Sequence, residues 1–342
     1  MRVSIIIPVY NPGAIFQECL LGISNSGIQP IEIIIVDDCS EPKILPKELP
    51  IPVKILRSEI PVGPGVARNI GAENARGDIL MFIDSDVIIE GDTIDRIVRR
   101  FEGDSKLVGV SGFYNYNNRF NNPSTIYHNL YFEYKQKHIS PESPYVDTAI
   151  WGIRKDIFNA TGGFTKGMFT SEDLEYGIRL YRDGYKLCSD VDIKVSHVKK
   201  LTFNSWIKNR FCSCVNMVMA KMKKPSHKNE KKERGGSVQV LHTIHLNQIF
   251  SPFLSLSLFF LAGIVILSKN SIAVAIFSLT ITAYIIINLP YLNFIFSRCG
   301  LTSVLIIPFV LLEHLISLAA ISIAIIRMLL GFPSLTYRGT KK

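Results

Sequence analysis

The sequence predicts an α/β domain built on a mixed, mostly parallel sheet flanked by helices, followed by transmembrane helices. Three observations carry this. Short β-rich apolar runs alternate with amphipathic helical stretches over the first 113 residues, as in a sheet covered on both faces. From Gln248 to Leu330 only Lys269, Arg298, Glu313 and Arg327 carry formal charge, in a chain that is 20% charged overall. Between Lys199 and Arg234 stand eleven Lys or Arg against two Glu, which matches the whole net charge of +9. A basic stretch just ahead of an apolar region points to an anionic bilayer surface on the cytoplasmic side.

The elements follow in order. Val3 to Val9 is a β-rich run ended by Tyr10-Asn11-Pro12-Gly13, a strand then a turn. Ala14 to Ile23 is the first helix. Ile31 to Val36 is the second strand, closed by Asp37-Asp38-Cys39-Ser40, and Val53 to Leu56 the third. Gly63-Pro64-Gly65 opens a helix that runs to Asn74. Asp78 to Ile83 is a strand closed by Asp84-Ser85-Asp86, followed by a helix over Asp92 to Phe101 and a strand over Leu107 to Phe113. Residues 114–145, rich in Asn, Tyr, Phe and Pro, predict a loop and a helix over the functional face. Val146 to Ile153 resumes as strand, Ser171 to Arg182 as helix, and Lys186 to Cys188 and Ile193 to Val198 as short strands.

Phe203 to Lys223 reads as an amphipathic helix lying in the membrane interface, with Trp206, Ile207, Phe211, Val215 and Val218 on its apolar side. A basic linker follows. Three apolar stretches, about 249–267, 271–296 and 302–329, are each long enough to cross a bilayer as helix. The expected division is therefore 1–200 soluble domain, 201–247 interfacial helix and linker, 248–330 three spans, and 331–342 a short polar tail. Three crossings place Arg338, Lys341 and Lys342 outside, against the positive-inside rule. The six cysteines have no zinc-site spacing, and the start of the chain does not read as a signal peptide.

In a sheet of this kind ligands sit beyond the carboxyl ends of the strands. Three polar clusters fall there: Pro8 to Asn11, Asp37 to Ser40 and Asp84 to Asp86. Strand alternation lets Asp84 and Asp86 point together past the sheet edge. Paired carboxylates suit a hard cation, Mg²⁺ or Mn²⁺, bridging phosphates. The competing structural role is turn and cap chemistry, and it applies equally to Asp37-Asp38. Arg68, on the helix after Gly65, offsets diphosphate or carboxylate charge or else is solvated. Glu172-Asp173 begins a helix, where Thr170 and Asp173 have capping-box spacing. The helix dipole there favours the carboxylate anion. His197 follows a β segment. No G-x-G-x-x-G follows a strand, and there is no P-loop and no G-x-S-x-G. Dinucleotide-dependent, P-loop and elbow-serine chemistries are therefore disfavoured.

Together VSIIIPVYN (3–11), EIIIVDDCS (32–40), GPGVARNIGAENARGDILMFIDSDV (63–87), WGIRKDIFNATGGF (151–164), SEDLEYGIRLYRDGYKL (171–187) and His197 resemble glycosyltransferase family 2, whose members adopt the GT-A fold. The resemblance covers about residues 1–215. It implies that Pro8, Tyr10 and Asp38 hold the nucleotide base and that Arg68 lies on the donor side. It places Asp84 near ribose and metal, makes Asp86 the metal-binding aspartate, and lets His197 complete the metal site. Asp173 becomes the general base, with Glu172 its acceptor-side neighbour. Tyr114, Tyr116 and Trp151 are candidates for acceptor stacking or simple packing.

The activity implied is inverting, metal-dependent transfer of one sugar from a nucleoside-diphosphate sugar, UDP-linked by default, to a lipid-linked acceptor at the cytoplasmic membrane. The sequence departs from the family at Thr165 and Lys166, where an acidic pair usually follows GGF. It also lacks the Gln/Arg-x-x-Arg-Trp motif of processive polysaccharide synthases. The alternatives are a processive synthase and a non-catalytic membrane scaffold that binds nucleotide sugar. Specific nucleic-acid binding by the basic stretch is disfavoured, since no recognised module accompanies it.

Overall fold

The computed structural model describes residues 1–45, 48–115, 119–168, 170–222, 246–268 and 271–332. The basic linker, the polar tail and Tyr116 lie outside the described residues. One sheet of eight strands organises the soluble part: β1 Val3–Val9, β2 Glu32–Asp37, β3 Val53–Arg57, β4 Ile79–Ile83, β5 Val87–Ile89, β6 Leu107–Asn115, β7 Ile150–Arg154 and β8 Lys186–His197. Their order is β3-β2-β1-β4-β7-β6-β8-β5. The first four in that order run parallel, β7 opposes both its neighbours, and β5 opposes β8.

The alternation in the first strands decides the layers. Ile5, Ile7, Ile33 and Ile35 join one core with α1 (Ile15–Ser24) and α3 (Thr93–Gly103). Ile6, Ile34 and Val36 join the other with α2 (Pro64–Glu73), α5 (Lys155–Ala160) and α6 (Glu172–Arg182). Trp151 belongs to the second core. It is fully buried and stacked on Phe82 at 5.7 Å between ring centroids, so it packs rather than offering a stacking surface. Gly71 marks how closely α2 sits on the sheet: a Cβ there would stand 2.4 Å from Cγ2 of Ile6. Gly71→Ala is therefore expected to cost about 1–3 kcal/mol through overpacking, read as a lower unfolding midpoint.

The sequence reading missed β5 and α5, and began β7 four residues early. It also split β8, which is one strand of 12 residues with register shifts against β6. The helix expected over the functional face is α4, Pro123–Gln136. Its side toward the C-terminal helices carries Tyr127, Tyr131 and Tyr134 into a cluster with Trp206, Tyr291 and Phe309.

α7, Phe203–Met222, leads out of the domain. Among the described residues, three helices long and apolar enough to cross a membrane follow: α8 Leu246–Ser268, α9 Ser271–Cys299 and, after a 3₁₀ turn, α10 Ile307–Leu329. The protein thus carries the helices of a multi-pass membrane protein. The apolar side of α7 is covered by the protein itself. Trp206 meets Phe309 at 5.0 Å, and Cys214 and Val215 pack on Ala320 and Ala324. The basic side is not wholly outward either, because Arg210 turns in and pairs with Glu313 of α10.

Candidate active site

β1, β2 and β4 are parallel, so their carboxyl ends reach the same sheet edge. Pro8 is the penultimate residue of β1, and half-buried Tyr10 lies just past the strand. Asp38 follows β2 and is 6% exposed. Its two oxygens accept from the backbone N–H groups of Val62 (2.6 Å) and Gly63 (2.9 Å). Gly63 takes φ +88°, a region costly for other residues, and Pro64 then starts α2 with its ring-fixed φ. Asp38 therefore ties the loop that leads to Arg68. Asp37 takes the cap role: it accepts from Ser40 N–H and pairs with Arg57.

Arg68 is the hub. It is 3% exposed, and its guanidinium donates to Asp84 Oδ1 at 2.6 Å and to Glu172 Oε1 at 2.5 Å. Two carboxylates from distant parts of the chain are held to one cation, with the Phe164 ring beneath it at 5.6 Å. Burial disfavours the cation, and the carboxylates of Asp84, Glu172 and Asp173 outweigh it, raising the Arg68 pKa. Asn69 fixes the neighbouring Gly162-Gly163-Phe164 turn, donating to Phe164 C=O and accepting from Phe164 N–H.

Asp84-Ser85-Asp86 is a turn, not a strand continuation, since Val87 N–H donates to Asp84 C=O at 3.1 Å. The two aspartates take different partners. Asp84 goes to Arg68. Asp86 stands 3.2 Å from Nε2 of His197, a contact made by β5–β8 pairing, which sets Val87 opposite His197. Burial alone pushes the Asp86 carboxyl up. The His197 imidazolium reverses this and holds it well below the usual carboxylate range, while Asp86 raises His197 in turn. With its Nε2 deprotonated, the His197 ring and the Asp86 carboxylate would together be a donor set fitting Mn²⁺ or Mg²⁺, so metal binding there would release a proton. Among the described residues no three His, Cys, Asp or Glu form a metal cluster. In this arrangement Asp84 Oδ1 is bonded to Arg68, while Asp86 faces His197.

Glu172 and half-buried Asp173 open α6. The capping box does not form: the cap is Ser171 in the left-handed region at φ +61°, without a side-chain cap bond, and Thr170 instead accepts from Asn216 of α7. The dipole argument for a persistent Asp173 anion is overturned as well. Burial first, then the charges of Glu172 and Asp147, raise the Asp173 pKa well above the ordinary range, with Arg68 opposing.

Two groups were invisible in sequence. Asp147 accepts from the Tyr145 hydroxyl at 2.7 Å and from Ala149 N–H at 3.1 Å, near Asp173. His128 of α4 joins Tyr114, Asn115, Asn129, Phe132 and His197 around a small cleft, and burial pushes its pKa well down. The signal for Asp147 was an acid two residues after a tyrosine, just ahead of a strand, which any loop can show.

Comparisons with known proteins agree with this architecture. Residues 4–162 match the profile of Glycosyl transferase family 2. An uncharacterized glycosyltransferase of Haemophilus influenzae is 24% identical over 219 residues, 58% of this chain and 69% of that protein. A second from the same organism is 38% identical over 101 residues, 28% of this chain and only 40% of that protein's length. Among solved structures, a mannosyltransferase of Pyrobaculum calidifontis in complex with GDP-Man and Mn²⁺ superposes with a TM-score of 0.64. It covers 96% of this chain and 87% of its own at 18% identity, which bears on the fold.

Proposed function

Because the chain belongs to glycosyltransferase family 2 through its N-terminal domain, we propose that it moves one sugar, with inversion, from a nucleoside-diphosphate sugar to a hydroxyl or phosphate oxygen of a lipid-linked acceptor. The observation that carries this reading is the Arg68 bridge. It joins the β4 edge, at Asp84, to the start of α6, at Glu172. That link supports a single site for the donor-side acids and the start of α6.

In this reading Tyr10, Pro8 and the loop tied by Asp38 line the nucleotide end. Asp84 and Arg68 face the ribose and diphosphate side. Asp86 and His197 would hold a divalent cation, Mn²⁺ or Mg²⁺, whose positive charge offsets that of the diphosphate leaving group. Asp173 accepts the proton of the attacking acceptor hydroxyl, and its raised proton affinity suits a general base. Glu172 stays on Arg68 and sets the start of α6. The donors to test are therefore UDP-linked sugars, as the family resemblance implies, and GDP-linked sugars, as in the Pyrobaculum calidifontis complex.

The purified full chain in anionic-lipid vesicles, given UDP- and GDP-sugars labelled in the sugar, is expected to place label in the lipid extract. EDTA should stop transfer and Mn²⁺ restore it. Absence of label with every donor, from protein that remains folded, contradicts the reading.

The basic stretch ahead of α8 supports a catalytic domain on the cytoplasmic side, against anionic lipid. α7 is sandwiched between the domain and α10. It touches α4 through Trp206–Tyr127 and Arg210–Tyr131, and the start of α6 through Asn216–Thr170. α10 matches it turn by turn, with Phe309 on Trp206, Glu313 on Arg210 and Ser317 beside Cys214. We read α10 as lying along the domain beneath α7, since a full crossing would drag α7 and the polar domain surface into hydrocarbon. Arg338, Lys341 and Lys342 then stay on the cytoplasmic side, as the charge rule asks. A C-terminal reporter active only in the cytoplasm should be active; an externally active one contradicts this placement.

A further inference from the structure

The loop between α4 and β7 carries a carboxylate that the family reading does not use. α6 accepts this loop at Gly177, four residues after Asp173 and so on the same helix face. A Cβ on Gly177 would stand 2.3 Å from the carbonyl oxygen of Pro144. That contact delivers Tyr145 and Asp147 to the side of Asp173.

The loop is also held from the opposite direction. The Tyr145 ring stacks on Phe113 of β6, with centroids 6.0 Å apart and planes 14° apart. Its hydroxyl donates to Asp147 Oδ2. Gln136, the last residue of α4, accepts from Tyr114 N–H at 3.0 Å. The Tyr114 ring lies 4.9 Å from that of His197, and the Asp147 charge is among the influences that raise the proton affinity of the Tyr114 hydroxyl. Tyr114, Asp147 and Tyr145 thus form an array beside the Asp86–His197 pair and Asp173.

A carboxylate has about four acceptor sites, and the Tyr145 and Ala149 bonds leave room for a ligand hydroxyl. We propose that Asp147, steadied by Tyr145, is a specificity-determining residue that accepts hydrogen bonds from hydroxyls of the transferred sugar. This rests on the glycosyl-transfer reading above. The transferred sugar is favoured over the acceptor by position. Its ring is fixed at one end to the diphosphate near Asp86 and His197 and meets the acceptor oxygen at Asp173, so it occupies the stretch that this array spans. A site that hydrogen-bonds a substrate hydroxyl discriminates strongly against an analogue in which that hydroxyl is moved.

The test compares wild type with Asp147→Asn, in the full chain with Mn²⁺. The probes are UDP, UDP-glucose, UDP-galactose, UDP-N-acetylglucosamine, GDP and GDP-mannose. Asparagine can still accept from Ala149 N–H, so the turn is preserved. The expected result is a fall of about tenfold in the preference for the best nucleotide sugar over its bare nucleotide. Discrimination between the glucose and galactose donors should weaken, while affinity for the bare nucleotide and KM for the acceptor stay unchanged. An unchanged sugar preference overturns the proposal, and so does a raised acceptor KM with donor preference intact.

Tyr145→Phe keeps the ring on Phe113 and removes only the hydroxyl. If the Asp147 variant does not fold, it carries the same comparison, with a smaller loss expected and no loss overturning the idea. Wild-type transfer with an unaltered Asp147→Asn donor preference sinks this proposal alone. Wild-type protein that binds none of the six probes sinks the transferase reading with it.

Discussion

Asp173→Asn is expected to reduce transfer by on the order of 10²–10⁴-fold, the usual contribution of a general base, while nucleotide-sugar binding is kept. The same change should raise thermal stability near neutral pH. The folded-state pKa of Asp173 is pushed up by burial and by Glu172 and Asp147. Between the unfolded value and that raised value the folded protein binds the extra proton, so stability falls as pH rises through the window. An uncharged Asn removes the penalty. The wild-type rate should fall as pH is lowered through the raised pKa, because the base is then protonated. A pH–rate profile with a melting curve for each protein checks both statements. A variant that is as active as wild type removes Asp173 from the chemistry.

Glu313→Ala is expected to destabilise the protein by about 3–5 kcal/mol, the cost of leaving one member of a buried ion pair alone. Glu313 is 3% exposed and bonds Arg210 Nε through both oxygens at 2.9 Å. Arg210 has Tyr131 as a further partner, and Asn216, less than two turns along the same helix, holds Thr170 beside the α6 start. Loss of the pair should therefore loosen α7 and lower activity as well as the unfolding midpoint. Arg210→Met combined with Glu313→Leu removes both charges and should recover much of the stability. Thermal unfolding of the detergent-purified proteins reads the effect. A Glu313→Ala midpoint equal to wild type contradicts the role given to this pair.

The strands were legible because their residues alternate between two cores, and Ile5 to Ile7 need no tertiary information to be placed. The acidic clusters were legible because a parallel sheet puts loop residues at one edge. Partner choice was not. Nothing local says that Asp84 turns to Arg68 while Asp86 turns to His197. That split comes from β5, a strand of three residues too short to show a period, pairing with β8. The pairing of Arg210 could not be read locally, because its partner lies 103 residues away. Trp151 was open as a stacking surface until burial against Phe82 closed that role. Asp147 escaped because its importance depends on Gly177 admitting a loop from another part of the chain.

The central claim is that the strand-end acids and the start of α6 serve one nucleotide-sugar site. Binding of a labelled nucleoside-diphosphate sugar in the presence of Mn²⁺ tests it most directly, measured on wild type, Asp86→Asn, His197→Gln and Asp173→Asn. The account predicts Mn²⁺-dependent binding in wild type, loss in the first two variants, and near-normal binding without turnover in the third. Binding that ignores Mn²⁺ and survives Asp86→Asn unchanged would contradict it.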